Sequence, residues 1–161
     1  MEYQIQPSPI LRNSQNVFQF GVEKSWTPTL SFETNGDLAV TYAENKGHSF
    51  LIGDIAICWF RIATLTFTHS TAANGIKING FPYVFQQSAL QNIGFTAGSM
   101  VWRGITKAGF TEMIPTNQHL DTWAFIYGCG SGQNPTVIAA GDMPSGGNVE
   151  FKGFTIYQVR L

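Results

Sequence analysis

The sequence predicts an all-β fold, an antiparallel β-sandwich of the jelly-roll kind with about 8-10 strands. Three observations predict it. Apolar residues recur with a period of two, not 3.6, along most of the chain. Asn-Gly pairs and Gly-rich stretches punctuate the apolar runs, and such pairs favour tight hairpins because both residues tolerate positive φ. The composition is that of a polar but weakly charged sheet surface, with 12% charged residues, 17 Gly and 13 Phe among 161 residues. That length allows one domain with a sizeable core. A formal net charge of −1 gives no basic excess of the kind nucleic acid requires. Near-zero charge promotes association, which an oligomer turns to use.

Residues 1–16 are polar and carry Pro7 and Pro9, so they read as an extended lead-in or linker. Residues 17–161 read as a single β-sandwich domain. VFQFGV (17–22) alternates. In TPTLSFE, Leu30 and Phe32 share a face, and Pro28 stands at the strand start, where its missing N–H costs no ladder bond. DLAVTYA aligns Leu38, Val40 and Tyr42. Residues 55–68 form the longest strand signal, and a change of phase predicts a bulge near Ile62–Ala63. GIKINGFPYVF predicts two strands broken at Gly80. SMVWRGI, TWAFIYG, TVIAA and VEFKGFTIYQVRL follow. PYVFQQSALQNIG (82–94) is expected to hold a short turn at most. Turns are expected at Asn35-Gly36, Lys46-Gly47, Asn74-Gly75, Asn79-Gly80, Ala108-Gly109, GCGSGQNP and MPSGGN.

Few residues carry chemistry in a recognisable pattern. His48, His69 and His119 are far apart and match no metal-ligand spacing, so neither metal nor cofactor is expected. GCGSG (128–132) reads as a Gly-rich hairpin turn, not a nucleophile loop around Cys129. It also lacks the Lys-Ser/Thr ending of a phosphate loop. Cys58, among Ile57, Trp59 and Phe60, reads as a small buried hydrophobe. A Cys58–Cys129 disulfide is disfavoured in a chain made in the cytoplasm. Glu112, Asp121 and Asp142 are candidate carboxylates for a glycan-cleaving pair, with solvated or capping roles as the alternative. No run reaches the roughly 18 apolar residues of a membrane helix, so no membrane insertion is expected. Sugar sites combine an exposed aromatic face with hydrogen-bonding side chains. Trp102, Arg103, Asp121, Trp123 and Tyr127 have those types, with core packing as the other use of the aromatics.

Four stretches in order resemble a module near the C-terminus of bacteriophage tail fibres and tailspikes. They are Trp26-Thr27-Pro28-Thr29-Leu30-Ser31-Phe32; Tyr42 and Gly47 followed by Ile52-Gly53-Asp54; the Thr-rich strand from Ile62 to Thr68; and Ile78-Asn79-Gly80-Phe81-Pro82-Tyr83. Phe50 stands one position beyond the module's aromatic, and GFP replaces its GLP. The resemblance implies a C-terminal β-sandwich that forms a homotrimer below upstream tail-fibre domains. It also implies binding of host cell-surface polysaccharide and a location in the virion tail. On this reading the function is non-enzymatic. A stand-alone carbohydrate-binding module and a small glycan-degrading enzyme are the alternatives. The matching residues Trp26, Pro28, Tyr42, Gly47, Gly53, Gly80 and Pro82 read as architectural, with Trp26 sealing a sheet edge or a subunit contact.

Overall fold

The computed structural model describes residues 10–12, 17–19, 21–86, 96–117, 120–130 and 132–160. Twelve strands lie among them: β1 (Ile10–Arg12), β2 (Val17–Gln19), β3 (Val22–Trp26), β4 (Thr29–Thr34), β5 (Ala39–Ile52), β6 (Ile55–Thr68), β7 (Ala73–Asn79), β8 (Thr96–Arg103), β9 (Glu112–Asn117), β10 (Trp123–Gly130), β11 (Gln133–Val137) and β12 (Glu150–Gln158). Among the same residues one 3-10 turn spans Ala140–Asp142. β1 and β2 pair with each other, β1 within the stretch expected as lead-in and β2 within the stretch expected as domain. The other ten strands form one antiparallel sheet in the order β3-β5-β6-β12-β8-β9-β10-β7-β4, with β11 paired to β10.

The two edges of that path, β3 and β4, are separated in the chain only by Thr27 and Pro28. So short a link forces the sheet to curl until its edges approach. The result is a strongly curled half-barrel, and the expected separation into two packed sheets is not confirmed. Inside it lies one core built from alternate residues of nearly every strand, among them Phe32, Phe67, Ile76, Ile78, Phe151 and Tyr157. The ladder is thinnest between β8 and β9, where among the described residues only Met100 and Met113 pair. Pro115 sits in β9 and its ring lies against Gly98 of β8. Proline removes a donor from a ladder, so the seam is packed more than it is hydrogen-bonded.

Six of the seven architectural residues cluster where the edges meet, and Gly53 lies apart from them. The buried Trp26 ring lies over Gly47, and a side chain at Gly47 would run into the indole. Phe81 packs on Trp26 with ring centroids 4.7 Å apart. Gly80 has φ +90°, and a Cβ there would crowd the Thr27 carbonyl. Pro28 is buried and Pro82 half-buried beside them. Tyr42 Oη accepts a hydrogen bond from the Leu30 amide at 2.7 Å. Gly53, with φ +62°, makes the tight turn between β5 and β6.

Three expectations change. The irregularity expected near Ile62–Ala63 extends further: the β5–β6 register shifts on both sides of Tyr42, with Ala43 the extra residue on β5 and Leu65 on β6, so Thr64 stays buried while Leu65 and Thr66 are both exposed. The cause is polar: Thr64 Oγ1 accepts from the Val149 amide at 2.9 Å, and the Thr64 amide donates to the Val149 carbonyl at 2.9 Å. Burying a polar side chain is tolerated when it is hydrogen-bonded, so the extra residue enters at Leu65. GIKINGFPYVF gives one strand, not two. After Gly80 the chain turns across the end of the sheet, held by Gly80 and Phe81 amides on the Thr122 carbonyl, and only a bridge from Phe85 to Val159 remains. β9 forms from EMIPTN, which is not among the strands expected from the sequence. The short turn expected within 82–94 lies largely outside the described residues.

Both ways into the sheet lie at one end. Val22 pairs with Leu51, Ile55 pairs with Gln158, and the Val159 amide donates to the Asp54 carbonyl at 2.7 Å. At the far end Asp37 ties the β4–β5 turn to the β6–β7 loop. Its carboxylate accepts from the Ser70 amide and hydroxyl at 2.8 and 2.6 Å, and from the Thr71 amide and hydroxyl at 2.7 and 2.9 Å. Those hydrogen bonds, with Ser70 first, hold the Asp37 carboxyl far below the usual carboxylate range.

Candidate functional site

Side chains on the outer face of β5, β6, β12 and β8 line up in rows across the sheet. The register sets Lys46, Arg61, Lys152 and Val101 side by side on consecutive strands. The next row toward the chain-entry end is His48, Trp59, Phe154 and Ser99. The row on the other side is Glu44, Ala63, Glu150 and Arg103. The residues between them, such as Cys58, Phe60 and Phe151, point inward and are buried. The strand period of two therefore delivers aromatic and cationic rows to one outer surface.

A groove of about 590 Å³ runs over the first two rows, lined by Lys46, His48, Trp59, Arg61, Val101, Lys152 and Phe154 among others. Its floor is open, with Trp59 42%, Phe154 36% and Val101 73% exposed. The Phe50 and Trp59 rings stand perpendicular, with centroids 6.0 Å apart. His48 Nε2 lies 2.8 Å from Glu23 Oε1 at the β3 side.

The cations beside the floor are only partly neutralised. Arg61 reaches Glu44 at 3.1 Å and Glu150 at 3.6 Å. Lys46 lies 3.8 Å from Glu44, and Arg103 3.6 Å from Glu150. Four cations thus share two carboxylates once Lys152 is included, and Lys152 has no ion-pair partner among the described residues. Like charges directly opposite on neighbouring strands are destabilising, so this row is held at a cost to the fold.

The residues expected to bind sugar are not brought together. Trp102 lies on the inner face of β8 and packs, half-buried, against the core beside Phe151. Arg103 points outward to Glu150. Asp121 lies in the turn before β10, where its carbonyl accepts from the Phe85 amide at 3.1 Å. Trp123 and Tyr127 share the outer face of β10 with Phe125, their rings packing edge-on to it at 4.8 and 6.4 Å. Lys77 Nζ sits 4.7 Å from the centre of the Trp123 ring. Register places Trp123 and Trp102 near opposite ends of their strands.

The candidate carboxylates are also dispersed. Asp142 lies 2.6 Å from Lys107 Nζ and accepts from the Ala139 amide at 2.9 Å. Glu112 opens β9 at the far end, while Asp121 sits beyond the other end of that sheet region. Both cysteines are free. Burial pushes the Cys58 thiol up to about 11. Burial, and then the charge of Glu112, also raises Cys129. A nucleophilic thiol needs the opposite shift.

Sequence reasoning missed the groove. Its local signal is slight: Trp59 and Arg61 two apart, Lys152 and Phe154 two apart, with small or apolar residues between. The rows exist only because β6 pairs with β12 across most of the chain.

No protein-family model matches the chain, and no curated protein matches it. Among solved structures the fold is similar to that of the Dettilon tailspike protein (gp208), with a TM-score of 0.58 and 17% identity. The match covers 84% of this chain and 23% of that protein. The likeness establishes a shared fold over nearly the whole chain, which spans about a quarter of the tailspike's length.

Proposed function

We propose that the protein is a non-enzymatic bacteriophage tail fibre or tailspike module that works in the virion tail as a homotrimer. On this reading it contacts host cell-surface polysaccharide and sits at the end of upstream tail-fibre domains. One observation carries the proposal: a tailspike contains this fold over 84% of the chain. The clustering of Trp26, Gly47, Gly80 and Tyr42 at the closing seam supports it, since the resemblance rests on those residues.

The end of the half-barrel where the chain enters offers a surface for trimer contacts. Ile52, Ile55, Val84 and Leu120 are all exposed there. The Arg160 amide bonds the Val84 carbonyl, and the Phe85 amide bonds the Asp121 carbonyl, so these side chains belong to one end. Exposed apolar clusters of this kind mark contact surfaces.

Light scattering on a size-exclusion column tests the assembly. A mass near three times the 17.7 kDa chain is expected, and an Ile52→Asp, Ile55→Asp double variant is expected to run as a folded monomer. A monomeric parent protein at micromolar concentration would remove the trimer. A stand-alone carbohydrate-binding module would then be the better reading, because the groove needs no partner subunit.

A further inference from the structure

The geometry points to an acidic, uronic-acid-bearing polysaccharide as the occupant of the groove over Trp59 and Phe154. The inference rests on the glycan-binding half of the proposed function and specifies its site and ligand class. Three features on this face agree. The Trp59 and Phe154 rings present an exposed apolar floor, which suits the C–H face of a pyranose ring. Lys46, Arg61 and Lys152 form an unbroken cationic row along one wall. Their charge exceeds that of the neighbouring glutamates, and Lys152 is left without a carboxylate partner among the described residues.

The spacing selects the ligand further. Adjacent strands are about 4.8 Å apart, so the three cations repeat at about that step. A polymer of uronic-acid sugars carries one carboxylate per ring and advances by a similar distance per ring. A chain laid across the strands can set successive carboxylates against successive cations while a ring rests on Trp59. A neutral polymer would leave the cationic row uncompensated. The face of β10 has no such row, because its Lys77 already lies on Trp123.

The test is an array of purified bacterial surface polysaccharides, in uronic-acid-bearing, phosphate-bearing and neutral groups, probed with the intact chain. Binding is expected on the uronic-acid group and is expected to fall as salt rises. Trp59→Ala and Lys152→Gln should each weaken it at least about tenfold, a change of about 1.4 kcal/mol, while Trp123→Ala leaves it unchanged. Light scattering on the same variants should show an unaltered mass. Four outcomes overturn the assignment: no binding to any acidic polymer, binding confined to the phosphate-bearing group, acidic binding insensitive to both groove variants, or variants that fall apart into monomers. The last would make the groove a contact between copies of the chain. Binding confined to neutral polymers would overturn the groove's ligand class and leave the receptor-binding function standing. Silence across the whole array would remove both.

Discussion

Two outer faces of the same curled sheet carry the same residue types and do different things with them. On β10, Phe125 is only 6% exposed although it points away from the core. Trp123 and Tyr127 flank it, Gly75 lies against its ring, and Lys77 covers Trp123. That face closes on itself. On β6 and β12, Trp59 and Phe154 stay open, and the cations beside them face one another. Aromatic and basic residues in a strand therefore do not mark a site by themselves. What matters is whether neighbouring strands supply partners that cover them.

The comparison breaks most visibly at Phe125. Phe125→Ala is expected to cost about 3–5 kcal/mol in a denaturant titration, as for other buried aromatics. Trp59→Ala on the open face is expected to stay within about 1 kcal/mol, as a substitution with little burial. Equal costs for the two would erase the distinction.

Acid acts outside both faces and supplies a reference. Asp37 has its folded pKa lowered from an ordinary 3.8. Its hydrogen bonds therefore add stability above that ordinary value, and the contribution is lost as pH falls below it toward the folded pKa. The melting temperature of the parent chain should drop over that acidic range. Asp37→Asn should lower it at neutral pH and flatten the dependence. A variant with the parent's acid profile would show that the loop clamp is not what titrates.

Smaller effects sharpen the contrast. Lys77→Gln removes a cation from an aromatic ring and should cost about 0.5–1 kcal/mol. Lys152→Gln removes one from a like-charged row and should instead stabilise, by about 0.2–0.5 kcal/mol at low salt and by less at high salt. Measuring both by urea denaturation at two ionic strengths checks the sign. A loss of stability in Lys152→Gln would mean that the row is compensated within the fold.

The closing seam was legible in the sequence and the open face was not. Trp26, Pro28, Gly47 and Gly80 are each constrained by local geometry: a ring over a backbone, a missing donor, a positive φ. Such constraints leave marks at single positions. The period of two likewise exposed most strands. β9 escaped, and its Pro115 is tolerated where the β8–β9 ladder is thin. Thr64 shifted the bulge because a hydroxyl paired to Val149 outweighs the apolar pattern. The groove escaped for a different reason. Its rows join residues from Lys46 to Phe154 through pairings that no local pattern encodes, while Trp102 and Trp123, neighbours in composition, fall on different faces.

The short Thr27-Pro28 link also sets how the molecule carries force. The upstream chain enters through β3, an edge strand that runs from the entry end toward the far end of the sheet. A pull on that chain, away from the far end, lies along the strand axis. It loads the pairs from Val22–Leu51 to Trp26–Gly47 in shear, all together, instead of unzipping them one at a time. Trp26 locked over Gly47 stands at the end of that ladder as a stop, so tension must dislodge the indole before it can draw the edge strand out.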